Sequence, residues 1–248
     1  LIIAMLLGLV FRGVAFEFRF RDPGHRRFWD FGFTAGSTIA ALAQGIVLGA
    51  LLQGVKVEGR GYGGGWLDWL SPFSLLTGVS VVAAYALLGA CWLIWKTEGP
   101  TQEHAFRLAR PLGLATLAAI AAVSVATPFL TYDYFSRWFV WPAMLATAPV
   151  PIAVAVLAIL FARALAAKRE AQPFLYALAL FALTFIGLGI NLYPWILPGE
   201  VSIWDAAAPA KSQAFAAVGA FIMVPLILAY TGWSYWVFRG KVGSEGYH

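Results

Sequence analysis

Apolar residues in this chain gather in long blocks separated by short polar and charged segments. Six blocks, at about 34 to 54, 72 to 95, 111 to 130, 141 to 166, 173 to 197 and 213 to 238, are long enough at 1.5 Å per residue to cross roughly 30 Å of hydrocarbon. None contains Asp or Glu, and Arg163, the one basic residue inside them, sits near enough to an end to snorkel. A seventh block, 1 to 11, would extend only about 16 Å as a helix. It reads as the end of a crossing that begins before Leu1. A signal peptide fits poorly, because no basic segment precedes the apolar run and no small-residue cleavage pattern follows it.

Proline punctuates these blocks. Ser71-Pro72, Arg110-Pro111, Trp141-Pro142 and Gln172-Pro173 place it where a first-turn N–H has no intrahelical partner, so these pairs predict helix starts. Pro149, Pro151, Pro194 and Pro225 fall inside blocks and predict bends or breaks, which a membrane helix tolerates only where neighbours shield the freed carbonyls. Gly32 with Gly36, Gly45 with Gly49, and the Ala-rich run 115 to 126 offer small surfaces for close helix approach. The expected architecture is all-α: a polytopic transmembrane bundle of six full spans plus one partial N-terminal span, forming one domain over residues 1–248.

Composition agrees with this picture. Hydrophobic residues make up 61% of the 248 and charged residues 12%, which excludes an ordinary soluble domain. Nine of the 11 Trp fall near predicted span ends, where interfacial anchors belong. Lone Cys91 excludes an intrachain disulfide and any all-cysteine metal cluster built by this chain alone.

The net charge of +5 has a topological explanation. When loops alternate between two sides, one side holds Lys56, Arg60, Arg137 and Lys211, and the other holds the remaining Lys and Arg. The positive-inside rule makes the richer side cytoplasmic and puts the C-terminus there. Nucleic acid is not an expected partner, since no aromatic-and-basic groove accompanies the charge.

Chemistry-bearing residues are sparse. His25 and His104 fall in predicted cytoplasmic loops and His248 is terminal, so none stands at membrane depth as an axial heme ligand. Met5, Met144 and Met223 read as core residues, and no catalytic, cofactor-binding or metal-ligating set is expected. Glu17 lies among aromatics between Arg12 and Arg19, either as a loop ion pair or as a carboxylate for proton entry or partner contact. Gln44 and Asn191 are polar groups in apolar runs that must face protein, through an interhelical hydrogen bond or a polar channel or quinone contact. Asn191 stands with Tyr193 and Pro194, where an unwound turn would expose carbonyls. Asp205 beside Trp204, and Asp68 between Trp66 and Trp69, are each either a local cap or a subunit contact.

Five segments point further. Phe11 to Arg19 (FRGVAFEFR), Trp95 to Pro100 (WKTEGP), Ser202 to Ala206, Ser212-Gln213, and Pro225 to Lys241 (PLILAYTGWSYWVFRGK) occur in an order that resembles subunit II of cytochrome bd ubiquinol oxidase, including its cyanide-insensitive branch. The resemblance covers essentially the whole chain. It implies a nine-helix subunit, of which this chain would supply helices three to nine. It also implies a heterodimer with a heme-bearing subunit I that carries hemes b558, b595 and d, with this chain holding none. The complex would oxidise quinol, reduce oxygen to water with cytoplasmic protons, and sit among lipids in the bacterial inner membrane, with room for a small accessory subunit. Glu17 matches an acidic position of the family after helix three. A secondary transporter or channel is the alternative reading, and a purely structural scaffold a third.

Overall fold

The computed structural model describes residues 1–59 and 61–242, so the expectations for Arg60 and His248 lie outside the described residues. The chain is a helical bundle with two small hairpins at one end. Its helices are α1 (Ile2–Arg21), α2 (Arg26–Leu52), α3 (Pro72–Lys96), α4 (Gly99–Ala126), α5 (Tyr132–Phe139), α6 (Ala143–Thr147), α7 (Pro149–Ala166), α8 (Gln172–Leu192) and α9 (Ala210–Val237). Strands β1 (Val57–Glu58) and β2 (Gly61–Tyr62) form one antiparallel pair, and β3 (Trp195–Leu197) and β4 (Val201–Ser202) another. Among the described residues, six helical segments are long and apolar enough to cross a membrane.

Small residues set the packing of the first three helices. A Cβ on Gly36 would lie 2.5 Å from the Gly8 carbonyl oxygen, and one on Gly45 would lie 2.6 Å from that of Thr77. These glycines let backbones touch, which in lipid replaces the hydrophobic drive that water would supply. The Thr77 hydroxyl donates to the Gly45 carbonyl at 2.9 Å, adding a hydrogen bond at the same α2–α3 crossing. The main core lies where α3 meets α4, α7 and α8, around Cys91, Ile94, Ala109, Phe161 and Ala177, all nearly sealed. In the Ala-rich run on α4 only Thr116 is buried, and the other positions are partly buried or exposed.

Four boundaries differ from the sequence expectation. The partial span 1 to 11 continues as helix to Arg21, and α2 begins at Arg26 rather than near 34, so the expected cytoplasmic loop shrinks to a tight turn. Hydropathy ends where the lipid does, but a helix satisfies its own backbone and continues into water. Pro111 lies inside α4, whose start is set by Pro100 at its first turn. Helix α8 stops at Leu192, short of 197, because Pro194 forces Tyr193 into an extended conformation (φ −61°, ψ 134°). The expected loop at 131 to 140 holds the amphipathic helix α5, capped by the Thr131 hydroxyl.

Other signals hold. Ser71 caps α3 in a reciprocal pair with Ser74, each side chain bonding the other's backbone N–H at 3.0 Å, with Pro72 at the first helical position. The chain breaks between α6 and α7 at Ala148, immediately before Pro149. Pro225, in contrast, does not break its helix: α9 runs through it from Ala210 to Val237.

Candidate functional site

The candidate residues fall at both ends of the bundle. At one end, α1 and α2 meet through the turn at Asp22 to His25, where aromatics and charges interleave. Glu17 is on helix α1, not in a loop, and pairs with Arg21 one turn on at 2.7 Å, rather than with Arg12 or Arg19. Its side chain is 58% exposed, so the aromatics beside it in sequence do not enclose it. The reason is helical spacing: residues four apart share a face, and Arg21 is four from Glu17. Arg12 instead lies over the Phe33 ring at 5.2 Å, and Arg19 donates to Asp30 across the hairpin at 2.5 Å.

The other end gathers the finishing turns of α2, α4 and α8. Helix α5 lies across them and fastens three ways. The Tyr134 hydroxyl donates to the Leu52 carbonyl at 3.0 Å, ending α2. Trp138 donates its indole N–H to Asn191 Oδ1 at 2.7 Å, which satisfies a side chain only 7% exposed. Arg137 donates to the carbonyls of Ile190 (2.7 Å) and Tyr193. A cation thus sits on the carbonyl-rich, negative end of α8, where helix dipoles favour it. The carbonyls expected to be bare near Pro194 are therefore occupied by Arg137.

Trp204 and Asp205 complete this end. Trp204 packs edge-on against Tyr193 with ring centroids 6.2 Å apart. Asp205 accepts from the Ser202 hydroxyl at 2.5 Å and the Ser202 N–H at 3.2 Å, and these bonds hold its carboxyl below the usual carboxylate range. Asp68 accepts from the Gly65 N–H at 2.8 Å and the Tyr62 hydroxyl at 3.1 Å. Desolvation, aided by that carboxylate, pushes the Tyr62 phenol up. Lys56, Tyr62, Trp66, Asp68 and Trp69 line a pocket of about 660 Å³ beside β1 and β2. Asp68 and Asp205 thus each make local hydrogen bonds within the chain.

Asn191 and Trp204 stand within one cluster, Asp68 is separate from it, and Glu17, Arg12 and Arg19 lie at the opposite end. Sequence reading missed the Arg137, Trp138 and Asn191 constellation. Its signal was present: positions 134, 137 and 138 share one face of a helix. It also missed a polar clasp formed by Lys241 with Glu170 at 2.6 Å and Glu98 at 3.6 Å, joined by Gln102 donating to Glu170 at 3.1 Å. Gln44, the other polar residue in an apolar run, accepts from the Tyr85 hydroxyl of α3 at 2.9 Å.

The donors for a heme are poorly placed. Among the described residues no cluster of three or more His, Cys, Asp or Glu could hold a metal. His25 is bonded to Asp22 in the α1–α2 turn, His104 is exposed near the start of α4, and Met144 and Met223 are on the surface. These residues do not fit an axial heme site.

Residues 1–238 match the family described as cytochrome bd terminal oxidase subunit II. The chain is 27% identical to cytochrome bd-I ubiquinol oxidase subunit 2 of Escherichia coli (strain K12), across 98% of this chain and 74% of the relative. It is 24% identical to cytochrome bd ubiquinol oxidase subunit 2 of Bacillus subtilis (strain 168), across 98% and 73%. The fold superposes on a chain of the bd oxidase from Geobacillus thermodenitrificans with a TM-score of 0.75 at 17% identity, covering 96% of this chain and 72% of the other. Family match, shared bundle and six membrane-crossing helices converge: the chain belongs to the cytochrome bd terminal oxidase subunit II family, and is a multi-pass inner-membrane subunit of a heme-based quinol oxidase, an oxidoreductase.

Proposed function

We propose that this subunit carries no heme itself and acts by assembling and stabilising a heme-bearing subunit I, whose hemes b558, b595 and d oxidise quinol and reduce oxygen with cytoplasmic protons. Helix α9 is the observation that carries this reading. It has 28 residues and a mean hydropathy of 2.1, and none of them is buried within the chain. Phe215 and Phe221 are more than four-fifths exposed. A helix held by its own chain only near its C-terminal end suits a place between two polypeptides.

The donor chemistry supports the same reading, because His25 and His104 are occupied or exposed at the polar end. The excess of basic residues at that end favours a cytoplasmic C-terminus. Glu17, with Arg21, offers an exposed polar contact to subunit I, and Asn191 a structural bond. The one-domain reading fits a helical bundle with no interdomain linker among the described residues.

Affinity purification through this chain tests the proposal, with a photo-crosslinking residue placed at Phe221. We expect a heme-containing second polypeptide to copurify and to crosslink at that position. Heme retained by this chain alone, or undiminished quinol-dependent oxygen consumption after its deletion, would overturn it.

A further inference from the structure

Between α6 and the last turns of α8, beside Arg137 of α5, the surface of the bundle opens into a groove. Its volume is about 620 Å³, within the span of about 300 to 1,000 Å³ typical of small-molecule sites. Sequence makes it hollow. Ala143 and Ala146 on one wall and Gly189 on the other contribute almost no side chain, and a Cβ built on Gly189 would meet nothing within 4 Å. Ile186, one turn before Ile190 on α8, adds an apolar side chain to the lining and is 51% exposed.

One charge stands at the mouth. Arg137 borders the groove and is half-buried, yet it forms no ion pair among the described residues. Its bonds to Ile190 and Tyr193 use Nη1, and no other donor of the group bonds a described residue. A guanidinium has five N–H donors in a fixed fork, so a second edge stays free for a bidentate oxyanion. The α8 carbonyls hold the fork in place, so little side-chain entropy remains to be lost on binding.

The two halves of the site ask for one molecule. A free anion would satisfy the guanidinium and leave the apolar walls bare; a neutral acyl chain would do the reverse. Because the groove lies at the end of crossing helices, beside Trp138 and the exposed Trp141, it sits at the level where headgroups meet acyl chains. We propose that this groove holds one phosphate-bearing membrane lipid, with its phosphate on Arg137 and an acyl chain along Ala143, Ala146, Ile186 and Gly189. The lipid wedges α6 against α8.

Native mass spectrometry of the purified complex tests this, with 1-palmitoyl-2-oleoyl-phosphatidylglycerol as the probe and dioleoylglycerol and inorganic phosphate as controls. The proposal does not depend on where the hemes reside, so its outcome is separable from the copurification result. One phosphatidylglycerol per chain is expected at saturation, with no matching occupancy by dioleoylglycerol and no displacement by millimolar inorganic phosphate. Gly189→Leu fills the groove without removing any hydrogen bond and should cut occupancy about tenfold with an unchanged melting temperature. Arg137→Gln should cut it comparably. If Gly189→Leu does not accumulate, Ala146→Leu fills the groove from the opposite wall and must show the same loss. Equal occupancy in wild type and a groove-filling variant overturns the proposal. So does displacement by inorganic phosphate, equal binding of dioleoylglycerol, or a density map with polypeptide in the groove.

Discussion

At the scale of single residues, the contacts differ widely in worth. Asn191 is sealed, and its only described side-chain partner is the Trp138 indole at 2.7 Å. Trp138→Phe would leave that amide unsatisfied, a loss of about 1 to 3 kcal/mol, while an exposed ion pair such as Arg19 with Asp30 is worth about 0 to 1 kcal/mol. Trp138→Phe is therefore expected to lower the melting temperature of the purified complex, and Asn191→Ala to do so by a similar amount. The double variant should cost much less than the sum, because the second change removes a group the first has already orphaned. Strict additivity in that cycle would show the bond to be incidental.

At the scale of elements, backbone contact outranks charge. A side chain on Gly36 must push apart α1 and α2, since even its Cβ would lie 2.5 Å from a carbonyl oxygen. Gly36→Val is expected to cost about 1 to 3 kcal/mol or more, and Asp30→Asn on the same hairpin less than about 1 kcal/mol. Thermal melts of the two variants side by side check the order; equal shifts would mean the helices separate freely. These glycine pairs were legible in the sequence, because spacing alone puts Gly32 and Gly36 on one face. The extent of α1 and α2 was not, since hydropathy reports lipid and the two helices run beyond it. Proline was read well where it follows a capping serine, as at Ser71-Pro72, and badly at Pro111, where the apolar boundary and the helix boundary part company by twelve residues. Helix α5 was hidden because its amphipathic pattern spans only eight residues. Of the candidate site, Asn191 was visible as a polar residue in an apolar run, but its partner lies 53 positions away and no local pattern connects them. Glu17 was misread for a simpler reason: treated as loop, it had no defined face, whereas on a helix its neighbour is Arg21.

At the scale of the whole molecule, the question is what orients α9, a long helix without a buried residue. Its last turn is tied to the bundle by polar groups. Lys96 donates to the carbonyls of Phe238 (3.3 Å) and Arg239 (3.1 Å), the Val242 N–H donates to the Lys96 carbonyl at 2.8 Å, and Lys241 reaches Glu170 and Glu98. These bonds join α9 to the ends of α3, α4 and α8, outside the hydrocarbon. The Lys241 ammonium, with help from Gln102, holds the Glu170 carboxyl below its ordinary value of 4.5, and Glu170 in turn raises Lys241 above 10.5. A depressed carboxyl contributes stability that is complete above its unfolded value and is lost as pH falls through the folded one. A raised amine contributes stability that is complete below its unfolded value and is lost as pH rises through the folded one. The clasp should therefore be intact from about pH 5 to 10 and loosen on acidification below that window. Amide exchange at Phe238 to Val242 reads this directly: slow and constant between pH 6 and 8 after correction for intrinsic rates, faster below pH 4, and already fast at neutral pH in Glu170→Gln. Because both side chains of the Lys241 and Glu170 pair are partly in water, raised salt should weaken the clasp, whereas the Val242 bond to the Lys96 carbonyl should resist it. Exchange indifferent to both pH and Glu170→Gln would mean that α9 is positioned by whatever packs along its length, and that the clasp follows from its placement instead of fixing it.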